Sequence, residues 1–135
     1  MKIEADRKCF VCGAENPIGL NVDFSIDEQN NKAAVTVSIP ELYQGWQGLV
    51  HGGIISALLD EAAIYACRPI SMHGVTAGLN VRFRKPVSID TELSVEAEVV
   101  RVKRKVAEVS SLMLCNGEIM AEAEVKVILI QNKEV

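Results

Sequence analysis

His51-Gly52-Gly53-Ile54-Ile55-Ser56-Ala57-Leu58-Leu59-Asp60-Glu61-Ala62-Ala63-Ile64-Tyr65-Ala66-Cys67 is the stretch that decides the fold. From Ile54 to Cys67 it holds no Pro or Gly and is rich in Ala and Leu, which favour helix. It spans about four turns at 3.6 residues each. Its apolar residues lie almost all the way round, so the helix should be buried on most sides. Pro69 stops it, and Arg68 places a positive charge where the helix dipole favours one.

Strand patterns lie on both sides. Leu20–Ile26 and Ala33–Ile39 alternate, with Asp27-Glu28-Gln29-Asn30-Asn31 between them as a hairpin turn. Pro40–Val50 is irregular and contains Gly45, Trp46 and Gly48. After the helix, Val75–Arg84 is rich in β-branched residues and ends at Lys85-Pro86. Leu93, Val95, Ala97 and Val99 alternate with polar neighbours. Val106–Leu114 is closed by Cys115-Asn116-Gly117, and Asn-Gly is a strong hairpin signal. Ile119, Ala121, Ala123, Val125 and Val127 share the next face. Short links between such strands imply an antiparallel sheet with one covered face. The expected class is α+β, a sheet wrapped round one central helix, over a single domain of residues 1–135. Its long edge strands invite dimerisation. Residues 1–19 form a lead-in loop, turning at Cys12-Gly13 and Asn16-Pro17-Ile18-Gly19.

Lys plus Arg is 14 and Asp plus Glu is 18, giving a net charge of −4. That balance lacks the electrostatic footprint of a general nucleic-acid binder. The longest apolar run, Val125–Ile130, is interrupted by Lys126 and is far short of the ~20 residues of a membrane span. Met1–Arg7 is charged and leads into no apolar segment, so no secretory signal is expected. Cys67 and Cys115 are isolated, and Cys9 and Cys12 form one CxxC. A disulfide framework is not expected, and a reducing cytoplasm is the default setting.

Two glycines at a helix start let another group approach the backbone closely. The first N–H groups there have no intrahelical partner, so they suit a developing oxyanion. Asp60 lies two turns on, and a carboxylate in a buried helix is costly unless paired or catalytic. It would serve as general base or nucleophile. Gly52-Gly53 also reads as a plain turn, and His51 as a cap or core histidine. Asp60 and Glu61 point about 100° apart, so only one need face a site.

From Tyr43 through Val87 the chain resembles the hotdog-fold acyl-CoA thioesterases of the phenylacetic-acid-degradation (PaaI) type. The residues that carry the likeness are Tyr43-Gln44-Gly45-Trp46, Gly48, Val50-His51-Gly52-Gly53, the helix through Asp60, Thr76-Ala77, Leu79-Asn80-Val81-Arg82-Phe83 and Pro86. The resemblance implies hydrolysis of an acyl-CoA thioester without a cofactor, coenzyme A being part of the substrate. Gly52 would polarise the thioester carbonyl through its N–H, and Asp60 would be the catalytic acid. Thr76 would orient the acid or water, and His51 would lie beside the thioester. Related enzymes often place an Asn or Gln close to six positions before the Gly; here Gln44 takes that role from a shifted loop, or nothing does. Acid and helix start would come from different subunits of a homodimer, two of which commonly form a homotetramer.

The expected substrate-binding residues are Gln44, Gly53, Asn80, Arg82, Arg84, Lys103 and Arg104. The phosphates of coenzyme A need cations. Candidates are Arg82, Arg84 and Lys85, or the cluster Arg101, Lys103, Arg104 and Lys105, which also reads as a solvated turn. The alternatives to hydrolysis are a non-enzymatic acyl-CoA sensor and a hotdog hydratase or dehydratase using His51 and an acid. Cys9-Phe10-Val11-Cys12-Gly13 is half of a tetrahedral zinc site with no second CxxC or His pair nearby. It reads as a structured lead-in at the sheet edge; no metal is expected, a metal bridged between subunits being the lesser alternative.

Overall fold

A computed structural model describes residues 2–130. The ends of the predicted 1–135 span, residue 1 and residues 131–135, lie outside the described residues. The strands are β1 (Ser25–Asp27), β2 (Lys32–Ser38), β3 (His73–Phe83), β4 (Glu92–Lys103), β5 (Val106–Cys115) and β6 (Glu118–Ile130). The helix α1 runs from Gly52 to Cys67. All strand pairs are antiparallel, in the order β1-β2-β4-β5-β6-β3. The helix lies across one face of this sheet, against β4, β5 and β6. This is the hotdog arrangement.

The alternation read in the sequence is what builds the core. Leu93, Val95, Met113, Val125 and Val127 point to the helix and are fully buried against Leu58, Leu59, Ala62 and Ala63. Each large buried side chain contributes about 1.5–3 kcal/mol. Every residue of α1 except Gly53 is buried or half-buried, as its all-round apolar character requires. Ser111 is fully buried, and its hydroxyl donates to Leu59 O at 2.9 Å.

Several boundaries differ from the expectation, four of them for a clear local reason. The helix starts at Gly52 because His51 caps it, its Nδ1 accepting from the Gly53 N–H at 2.8 Å. Arg68 is the C-cap, outside the last turn, and its guanidinium sits 3.9 Å over the Tyr65 ring. The expected strand at Leu20–Ile26 shrinks to Ser25–Asp27. There, Leu20 and Val22 donate to Phe10 O and Val11 O at 2.7 and 2.8 Å, and Asn21 takes a φ of 52°. β4 runs on to Lys103 because the β4–β5 hairpin turns on Arg104, whose φ is 58°. Arg101 and Lys103 are therefore strand residues.

A bulge in β3 governs which side chains reach the helix. Register shifts between Thr76 and Gly78, leaving Ala77 as the extra residue. Thr76 lies opposite Val127, then Leu79, Val81 and Phe83 lie opposite Val125, Ala123 and Ala121, all core residues. Gly78, Asn80 and Arg82 pair with Lys126, Glu124 and Glu122 on the outer face. An unbroken alternation would have placed Thr76 and Asn80 on one side. The bulge re-aims the strand so that they part.

Candidate active site

Asp60 and Thr76 are brought together across the helix–sheet boundary. The Thr76 hydroxyl donates to Asp60 Oδ1 at 2.5 Å, and both residues are half-buried. The carboxylate is thus held in one orientation with its second oxygen left to meet another group. Asp60 sits on the open flank of the molecule, because β3 is the last strand of the sheet and has no further strand beyond it among the described residues. Leu79 and Phe83 are 40% and 54% exposed along that edge, on the same face as Thr76.

The helix start is a second feature of that flank. A Cβ added at Gly52 would meet the Phe83 ring at 3.5 Å, an ordinary contact. A Cβ at Gly53 would lie only 3.0 Å from His51 Nδ1, so Gly53 makes room for the cap. His51 itself is exposed and serves as the N-cap. Gln44 uses its side-chain oxygen to accept from the Gly48 N–H at 2.9 Å, which closes the loop before the helix. His51 N–H donates to Tyr43 O at 3.0 Å and ties that loop to the helix start.

The remaining expected residues lie elsewhere in the same chain. Asn80 and Arg82 line a groove of about 220 Å³ on the outer face of the sheet, with Ser110, Leu112, Glu122 and Glu124. Arg84 forms an exposed ion pair with Glu122 at 2.8 Å, which holds the Glu122 carboxyl below its usual range. Lys85 pairs with Glu118 at 2.6 Å. Lys103 and Arg104 line a groove of about 450 Å³ at the β4–β5 hairpin, where Arg101 pairs with Glu108. Within one chain, then, Asp60 and Thr76 are joined directly, Asn80 and Arg82 face the outer side of the sheet, and Lys103 and Arg104 lie at the β4–β5 hairpin.

The residue after Asp60 has an environment that the sequence did not disclose. Glu61 turns toward the lead-in, where Cys9 Sγ lies 3.5 Å from its Oε2. Burial and the Glu61 carboxylate push the Cys12 thiol up to about 12. Burial and a hydrogen bond with Cys12 likewise push the Tyr65 hydroxyl up to about 12. Adjacency to Asp60 on a helix was the available hint that Glu61 faces a different neighbour. Nothing in the spacing links position 61 to position 9.

Comparison with known proteins places this arrangement. Residues 47–124, more than half of the chain, match the family model described as thioesterase superfamily. A segment of 58 residues is 41% identical to MIOREX complex component 3 of Saccharomyces cerevisiae; it is 42% of this chain and 22% of that protein. The chain thus spans under a quarter of that relative's length. A crystallised thioesterase superfamily protein superposes with a TM-score of 0.81 at 23% identity, over 90% of this chain and 63% of that one. The E. coli PaaI protein from the phenylacetic acid degradation operon superposes with a TM-score of 0.75 at 22% identity, over 83% of this chain and 81% of that one. The fold is shared with both structures, and the matched region contains the helix, Asp60 and Thr76. The chain with its helix-borne acid and hydroxyl partner belongs to the thioesterase superfamily.

Proposed function

We propose that the protein hydrolyses an acyl-CoA thioester to the free acid and coenzyme A, at sites formed between two copies of the chain. The observation that carries the reading is the 2.5 Å hydrogen bond that fixes the Asp60 carboxylate on the open β3 flank. Asp60 either takes a proton from the attacking water or attacks the thioester carbon itself. The Gly52 N–H polarises the carbonyl oxygen as negative charge develops on it. Coenzyme A leaves as the thiol, and the reaction consumes only water.

The need for a second copy follows from the length of the helix. Gly52 and Asp60 lie eight positions apart, so a rise of 1.5 Å per residue separates them by about 12 Å. Groups that act on one carbonyl must come within about 3 Å of it. A second copy docked along the β3 edge supplies the missing half of each site. The same symmetry would carry basic side chains of one copy toward substrate held by the other. The working assembly is a homodimer, paired further into a homotetramer, in the cytoplasm. The hydratase reading is less well supported: His51 is engaged as a cap and lies a further residue from Asp60.

Gly52→Pro replaces the N–H with a ring carbon, and the ring's Cβ would meet Phe83 only at an ordinary 3.5 Å. Proline is tolerated at the first helical position, and His51 already has the extended φ of −61° and ψ of 134° that a following proline requires. Free thiol would be followed over a panel of short, medium and aromatic acyl-CoAs. We expect Asp60→Ala and Gly52→Pro each to lose at least about 100-fold in turnover while remaining folded. Mixed after dissociation and reassembly, the two variants should recover about a quarter of the parent rate, because half of the dimers are mixed and each carries one intact site. Failure of the mixture to recover activity would rule out the shared site. Tight acyl-CoA binding with no turnover by the parent would replace hydrolysis by sensing.

A further inference from the structure

Cys9 and Cys12 come from the lead-in, and Glu61 comes from the third turn of α1. One sulfur from each cysteine and one carboxylate oxygen all lie within 4.8 Å of one another. Cys9 Sγ is 3.5 Å from Glu61 Oε2. Zinc binds thiolate sulfur at about 2.3 Å and carboxylate oxygen at about 2.0–2.2 Å, and a tetrahedron with those bonds has a sulfur–oxygen edge of about 3.5 Å. The observed separation matches that edge.

The surrounding chain holds the two sulfurs in place. A Cβ at Gly13 would fall 2.4 Å from Cys9 N and 2.7 Å from Arg7 O, so glycine alone lets the chain fold back after Cys12. The Gly13 N–H donates to Cys9 O at 2.8 Å and closes the turn. Val11, between the two cysteines, is 2% exposed and anchors the turn in the core. Tyr65 lies one helical turn beyond Glu61 on the same face. Such support around the ligands is what orients them in metal sites. One CxxC is half of a site, which is why the sequence alone points to no metal; the third ligand arrives from the helix.

We propose that Cys9, Cys12 and Glu61 bind one zinc ion, with water in the fourth position, and so clamp the lead-in to α1. Two thiolates and a carboxylate suit zinc among the divalent cations, since the harder ions prefer all-oxygen sites. Asp60 points about 100° away from Glu61, so the ion stands apart from the Asp60–Thr76 pair. The proposal does not depend on the hydrolytic reading.

The test is metal content. Reduced full-length protein without a histidine tag is incubated with zinc, desalted and analysed by mass spectrometry of the elements. The parent should retain about one zinc per chain. A Cys9→Ser, Cys12→Ser double variant should retain none above background. Glu61→Gln should bind at least about tenfold more weakly in competition with a chromophoric chelator. Zinc should also shield both thiols from Ellman's reagent, and cobalt(II) should give the visible bands of tetrahedral thiolate coordination. Circular dichroism checks folding; if the double variant does not fold, the cobalt spectrum and Glu61→Gln carry the test. A reduced parent that holds no zinc, whether or not it oxidises to a Cys9–Cys12 disulfide, would overturn the proposal. So would equal uptake by the double variant, or parent-like affinity in Glu61→Gln.

Discussion

Asp60 owes its fixed orientation to Thr76, sixteen positions away in the chain. Thr76→Val keeps the shape of the side chain and deletes the donor. A hydrogen bond to a carboxylate is worth about 1.5–3 kcal/mol, so we expect kcat to fall roughly 10- to 100-fold with KM little changed. Steady-state kinetics on the best acyl-CoA of the panel would check it. An unchanged kcat would reduce Thr76 to a packing residue. Asp60 was legible in the sequence because an acid inside an apolar helix asks for an explanation. Thr76 was legible through the resemblance alone, since nothing local marks a threonine in a β-branched strand. Asn80 and Arg82 follow closely in the same strand yet face outward, paired with Glu124 and Glu122. Their distance from Asp60 was hidden because one extra residue reverses the alternation.

At the scale of elements, the strength of the local signal decided what could be read. Asn116-Gly117 demanded a tight turn, and both residues have positive φ, 51° and 79°. The β4–β5 turn carries no such pair, and Arg104 adopts φ 58° because two long strands must meet there. Leu20–Phe24 alternates like a strand, but its N–H groups bond to the lead-in, a competition that periodicity does not register. The bulge at Ala77 is the least legible element and has the largest consequence. Deleting Ala77 would heal the bulge, because Thr76 and Gly78 already lie opposite the consecutive residues Val127 and Lys126. Thr76 would keep Asp60, and Leu79, Val81 and Phe83 would keep the core face, with the extra residue gone. We expect the deletion variant to keep its cooperative thermal transition, as followed by circular dichroism. Loss of that transition would mean that the bulge itself holds β3 in place.

For the molecule as a whole, alkaline pH is the informative stress. Burial raises the Cys67 thiol from the ordinary 9.0 to about 11. In the unfolded chain this thiol ionises near 9, whereas the folded chain holds the proton until about 11. Its contribution is therefore intact below pH 9 and is lost as pH rises through 11, a loss of about 2–3 kcal/mol. Denaturant midpoints along that range should fall more gently in Cys67→Ala than in the parent. An identical slope in both would show that Cys67 does not ionise on unfolding. The helix that carries this thiol also carries Asp60 and Glu61, adjacent residues that face the open flank and the lead-in. It is in effect a shaft gripped on two sides. Side-chain groups sit about 6 Å from a helix axis, so a rotation of about 10° carries them through about 1 Å. A misplacement of about 1 Å can cost a reaction about 100-fold in rate. Whatever takes hold of Glu61 thereby sets the angle at which Asp60 stands on the open flank, where we propose that it acts.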